Sequence, residues 1–146
     1  ATSFPRPDTL EAQAAGPVLD ALAEQLAETG QGALSQLLAE GKPVAGPDAV
    51  AAAHAGDDEA IDLLDRFAGR LAPGVANAIH AFDPNEIAIG GGVADGAGEL
   101  LLEPLKRHVA PLILPGIGTK TTIRLARHGQ DAGVVGAAIL ALTAGR

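Results

Sequence analysis

The chain has 146 residues, a length that suits one domain or part of one rather than two, and ten basic against eighteen acidic side chains give it a formal charge of −8. That charge argues against nucleic acid as a partner of this segment, because nothing would neutralise a phosphate backbone. The absence of cysteine excludes disulfides, thiol catalysis and thiolate zinc sites within it, and fits a cytoplasmic protein.

Hydrophobic residues make up 47% of the chain and aromatics only 2%, so a core of Ala, Leu, Val and Ile in close-packed helices is expected rather than a β-sandwich. No apolar run approaches the roughly 20 residues that span a bilayer. The opening "ATSFPRPD" lacks the basic and apolar regions of a signal peptide, so a soluble chain without a membrane partner is expected. With no methionine and Ala1 at its start, the sequence reads as a processed, trimmed or internal piece of something longer.

Pro5, Pro7 and Asp8 make residues 1–8 an extended lead-in. "TLEAQAAG" is a short helical turn. Pro17 opens a helix whose Val18, Leu19, Leu22 and Leu26 recur at helical spacing until Thr29 and Gly30. Leu34, Leu37 and Leu38 mark a further helix before the breakers Gly41, Pro43, Gly46 and Pro47, and "PDAVAAAHAGD" gives two or three more helical turns.

The longest periodic segment, "DDEAIDLLDRFAGRLAPGVANAIHAFD", places Ile61, Leu64, Ala68, Leu71, Val75 and Ile79 on one stripe. Its acids Asp57, Asp58, Glu59 and Asp62 read as a helix start and its solvated face, not a catalytic pair. Pro73 predicts a kink near Gly69. Asn77 is assigned to the core and His80 to a satisfied packing role beside the stripe.

After the turn at Asp83, Pro84 and Asn85, residues 86–89 predict a short buried strand and Gly90 to Gly92 the turn at its carboxyl end. A helix follows from about Ala97 to Val109, with His108 complementing its dipole. "KTTIRLARH" predicts a second strand. "DAGVVGAAILALTAG" is a small-residue helix with Asp131 as N-cap, its Gly133 and Gly136 tolerable only where another element packs closely. His54, His80, His108 and His128 have none of the spacings of a histidine metal site.

The glycine turn fails both phosphate fingerprints. From Gly90 the sixth position of G-x-G-x-x-G is Asp95, and the G-x-x-x-x-G frame from Gly91 to Gly96 continues into Ala97 and Gly98 without the lysine of a P-loop. Two readings remain. Gly90, Gly91 and Gly92 form either a tight strand-to-helix turn or a bare backbone surface for a flat, uncharged group such as adenine or ribose.

Taken together, "GD..A" from Gly56, "G.AN.I...DP..I.IGGGV" from Gly74 and the terminal "DAG..GAA..A" resemble the carboxyl-terminal half of the ROK family of repressors, open reading frames and sugar kinases. The similarity covers residues 44–142 well and residues 9–30 more loosely. It implies an α/β fold, the carboxyl-terminal portion of an actin-like (ribonuclease H-like) ATPase domain, mostly helical with about two strands. It also puts Gly90, Gly91, Gly92 and Val93 at the family's adenosine-contacting turn.

Glu11 falls where the family glutamate hydrogen-bonds sugar hydroxyls, though it also reads as a solvated residue of a first helical turn. Aligned on Glu11, the cysteines of the family's zinc motif would fall at Thr2, Phe4 and Thr9 and its glycines at Pro5 and Asp8, so no zinc site is expected in this segment. The family's aspartate base and D-x-G-G-T phosphate turn are also missing, so the chain alone is expected to be inert.

The resemblance therefore implies part of an ATP- and Mg²⁺-dependent hexose kinase such as a glucokinase, with sugar and nucleotide as its small-molecule partners. The alternatives are the sugar-sensing domain of a repressor, or a degenerate dimerisation module. Uncovered strand edges and helix faces imply pairing with the missing half or with a second copy.

Overall fold

The computed structural model describes residues 9–144, so the expected lead-in over 1–8 lies outside the described residues. Eight helices and two strands follow in chain order: α1 Leu10–Ala14, α2 Gly16–Thr29, α3 Ala33–Ala39, α4 Gly46–His54, α5 Asp58–Phe82, β1 Glu86–Ile89, α6 Gly92–Ala97, α7 Glu99–Val109, β2 Thr122–Leu125 and α8 Ala132–Thr143.

The core forms around α5. Phe67, Leu63 and Leu64 are fully buried there, joined by Leu19 of α2, Leu34 of α3 and Leu101 and Leu105 of α7. Burying each such side chain stabilises the fold by about 1.5–3 kcal/mol. Because α5 packs against α1, α2, α4 and α7, its buried arc is wider than the expected stripe and centred on Phe67. Ile61, expected on the stripe, is 36% exposed, while Leu64, Ala68, Val75 and Ile79 are buried. The helix runs unbroken through Pro73. Asn77 is exposed in a hollow beside Thr9 and Pro73, not buried in the core as expected, because it lies on the outer side of that arc.

The acidic start of α5 has a larger role than dipole compensation. Asp57 accepts from Ala60 N at 2.9 Å within its own helix and from Ala33 N at 2.7 Å in α3. Glu59 accepts from Gln31 N at 3.0 Å and Gly32 N at 2.9 Å. Two carboxylates thus cap a helix whose own N-cap, Gly32, has no side chain to do so. A Cβ on Gly32 would come within 2.5 Å of Asp57 Oδ2, so glycine lets the latch close. The N–H groups of Ala33 and then Ala60 hold the Asp57 carboxyl below the usual aspartate value.

Strands β1 and β2 pair in parallel, with Glu86 opposite Thr122 and Ile89 opposite Leu125. Ile87, Ile89, Ile123 and Leu125 pack toward the core, while Glu86 and Ala88 stay exposed. The expected buried strand is therefore half-buried on one face and exposed on the other. Parallel sheets are ordinarily covered on both faces, and no described helix closes the second one. On the strands, Arg124 donates to both oxygens of Glu86, at 2.7 and 2.6 Å, and this holds the Glu86 carboxyl low.

Two expectations fail at α8. Asp131 stands at its N-cap position but makes no capping bond. Gly133 and Gly136 meet no close neighbour, since a Cβ on either finds nothing within 4 Å. The helix has no buried residue, and Val134, Leu140 and Leu142 are 73%, 69% and 78% exposed. Two histidines are satisfied by packing partners: His80 Nε2 accepts from Leu114 N at 3.2 Å, and His108 Nε2 lies 3.2 Å from Asp65 on α5. No described helix is long and apolar enough to cross a membrane.

Candidate functional site

Each glycine of the turn has its own reason. Ile89 ends β1, its carbonyl accepting from Ala126 N at 2.8 Å just past β2. This brings the two strand ends so close that a Cβ on Gly90 would lie 3.1 Å from Ala126 Cβ. Gly91 holds φ +99°, a conformation that L side chains resist. Gly92 is the first residue of α6, so the chain turns into helix at once and not at the expected Ala97. The expected single helix is two, because Gly98 at φ +56° ends α6 and redirects the chain into α7.

A cleft of about 640 Å³ opens beside this turn, walled by one face of each of three helices. Gly92, Val93 and Gly96 of α6 form one side. Gly16, Leu19 and Asp20 of α2 form another. Pro47, Val50, Ala51 and His54 of α4, at i, i+3, i+4 and i+7, form the third. Sequence reasoning missed the α2 and α4 walls. The signal was the spacing of residues 47, 50, 51 and 54, which reads as a buried stripe but lines an opening.

Two side-chain bonds fix this geometry. Asp20 Oδ1 accepts from Gly46 N at 2.8 Å and holds the start of α4 against α2. Gly46 is buried, and a Cβ there would crowd Asp20 and Leu19 at 2.9 and 3.1 Å. At the other end of α4, His54 Nε2 lies 2.9 Å from the carbonyl oxygen of Gly96 and ties α4 to the glycine-turn helix.

The lining is glycine backbone and apolar carbon with one carboxylate and one imidazole, and among the described residues neither lysine nor arginine faces it. Such a surface suits a flat, weakly polar group and offers a triphosphate no counter-charge. Among the described residues, no three His, Cys, Asp or Glu side chains converge to hold a metal ion.

The structure brings Gly92 and Val93 to the cleft and leaves Gly90 and Gly91 behind them as the hinge of the turn. Glu11 does not join them. It is exposed in the first turn of α1, beside a separate hollow that includes Ala15 and Val18.

The sequence profile of the ROK family matches residues 5–144. The chain belongs to the ROK family. Over 89 residues it is 40% identical to the glucokinase of Halalkalibacterium halodurans, covering 61% of this chain and 27% of that one. It is 42% identical over 89 residues to the N-acetyl-D-glucosamine kinase of Aliivibrio fischeri, covering 60% and 28%. This ROK chain thus spans under a third of the length of these curated relatives.

Among solved structures it is similar to a ROK family glucokinase from Streptomyces griseus in complex with glucose and AMPPNP, at TM-score 0.77 and 31% identity, over 90% of this chain and 43% of that one. It also resembles a ROK family transcriptional regulator at TM-score 0.67 over 80% of this chain and 28% of that one. At 23% identity, that likeness shows the fold alone. The helical body with two parallel strands is a partial actin-like ATPase domain.

Proposed function

We propose that this ROK chain is the nucleoside-holding part of an ATP-dependent hexose kinase, with glucose as the first candidate substrate. The observation that carries this reading is the cleft beside Gly92 and Val93, largely apolar and, among the described residues, free of cationic side chains, at the carboxyl end of β1. Its surface suits adenosine, and the phosphates with their Mg²⁺ would be held by groups outside the described residues. A phosphoryl transfer needs such groups for its charge.

The curated relatives above are sugar kinases, which favours the kinase over the sensor. Glu11 would supply one sugar contact as a bidentate acceptor for a vicinal diol. The uncovered second face of the sheet and the exposed apolar residues of α8 would be closed by the missing half or by a second copy. The setting would be the cytoplasm, and the chain alone would be inert.

Calorimetric titration with adenosine and with AMPPNP tests the reading. The two ligands should bind this chain with affinities within about threefold, because no cation in the cleft rewards a triphosphate. AMPPNP binding a hundredfold tighter than adenosine would contradict it, as would glucose phosphorylation by the chain on its own.

A further inference from the structure

We propose that His54 is a specificity-determining residue of the cleft, selecting a purine with an amino group at position 6 over one with a carbonyl there. This rests on the reading that the cleft holds the nucleoside.

Only one face of α4 lines the cleft, and of its five lining residues, Gly46, Pro47, Val50, Ala51 and His54, only the last has a polar side chain. The carbonyl oxygen of Gly96 can only accept a hydrogen bond, so His54 Nε2 at 2.9 Å must carry the proton. In the neutral ring Nδ1 is then a lone-pair acceptor, and His54 makes no second hydrogen bond among the described residues. An acceptor at the wall pairs with the 6-amino group of adenine and opposes the 6-carbonyl oxygen of hypoxanthine or guanine.

Asp20, the other polar side chain of the lining, is also an acceptor but sits at the wrong end. It is bonded to Gly46 at the start of α4, eight residues before His54 and so about 12 Å away along the helix axis. His54 is bonded to α6 itself, the helix whose Gly92 and Val93 would carry the base.

Adenosine and inosine differ at position 6 and in the consequent protonation of N1, and so form the matched pair of probes. Each is titrated into the ¹⁵N-labelled chain while the amides of Gly92 and Val93 are followed. Adenosine should bind roughly three- to tenfold more tightly, the effect of one neutral hydrogen bond gained against one acceptor opposed. In His54→Leu the two affinities should converge. His54→Gln, which keeps a donor for Gly96 and an acceptor oxygen, should retain part of the preference.

Equal affinities in the unmodified chain overturn the inference without needing any variant, and so does a preference that survives His54→Leu. If neither nucleoside moves Gly92 or Val93, the nucleoside reading of the cleft fails and takes this inference with it. Equal movement by both leaves that reading standing and removes only the role of His54.

Discussion

Replacing Asp57 by alanine should weaken two helices at once. Its carboxylate accepts from Ala60 N at 2.9 Å in α5 and from Ala33 N at 2.7 Å in α3, two bonds of N-cap type. Losing a cap costs about 1 kcal/mol, so the pair is worth about 2 kcal/mol. In a domain of this size that lowers Tm by about 4–8 °C. Asp57→Asn keeps only one of the two acceptor oxygens in use and should lose about 1 kcal/mol, roughly half the effect.

The effect should also titrate. Because the N–H groups of Ala33 and Ala60 lower the Asp57 carboxyl, its contribution is fully present above the unfolded value of about 3.9. It fades as pH falls through the lower folded value. Urea denaturation of the parent chain and Asp57→Ala, followed by circular dichroism at about pH 7 and about pH 3, reads both the gap and its narrowing. A gap under about 0.5 kcal/mol at neutral pH, or one that does not narrow in acid, would refute the latch.

Gly118→Ala should cost about 2–4 kcal/mol, since Gly118 holds φ +67° and its new Cβ would lie 2.7 Å from Ile79 Cγ2 in the core. Thermal melts report this directly, and a melt within 1 °C of the parent would show that the loop simply shifts. Ala51→Trp should block the cleft without unfolding the chain, because Ala51 is exposed and faces open space. Calorimetry should find adenosine binding lost while Tm stays within about 2 °C; retained binding would place the nucleoside elsewhere. Sedimentation should show self-association at micromolar concentration, driven by Val134, Leu140 and Leu142 on α8 and the bare sheet face. A well-folded monomer at that concentration would contradict it.

What was legible in the sequence follows local chemistry. Ile87 and Ile89 after the Asp83–Asn85 turn, and the three glycines that follow, announce a strand and its turn, and Pro17, the leucine spacings and the acidic start of α5 announce helices, all through residues close in the chain. What was not legible depends on distant neighbours. The spacing of Pro47, Val50, Ala51 and His54 is that of any amphipathic helix, and only the packing of α4 on α2 and α6 shows that this stripe faces an opening.

Asp57 and Glu59 read as dipole partners because their targets, residues 31–33, lie more than twenty residues away. Glycines at 90, 91, 92, 96 and 98 gave no hint of which one would break the helix. The backbone answers with Gly98 at φ +56°. The strand looked buried because its composition suits a sheet covered on both faces, and the described residues cover one.

On the function proposed above, the glycine turn of this ROK chain is a nucleoside wall without a phosphate cradle. Titrating adenosine to millimolar concentration into the ¹⁵N-labelled chain tests it most directly. Gly92 and Val93 should shift most, with Gly90 and Gly91 following, and adding inorganic triphosphate should move none of the four. Silent amides at Gly92 and Val93, or shifts there with triphosphate alone, would contradict it.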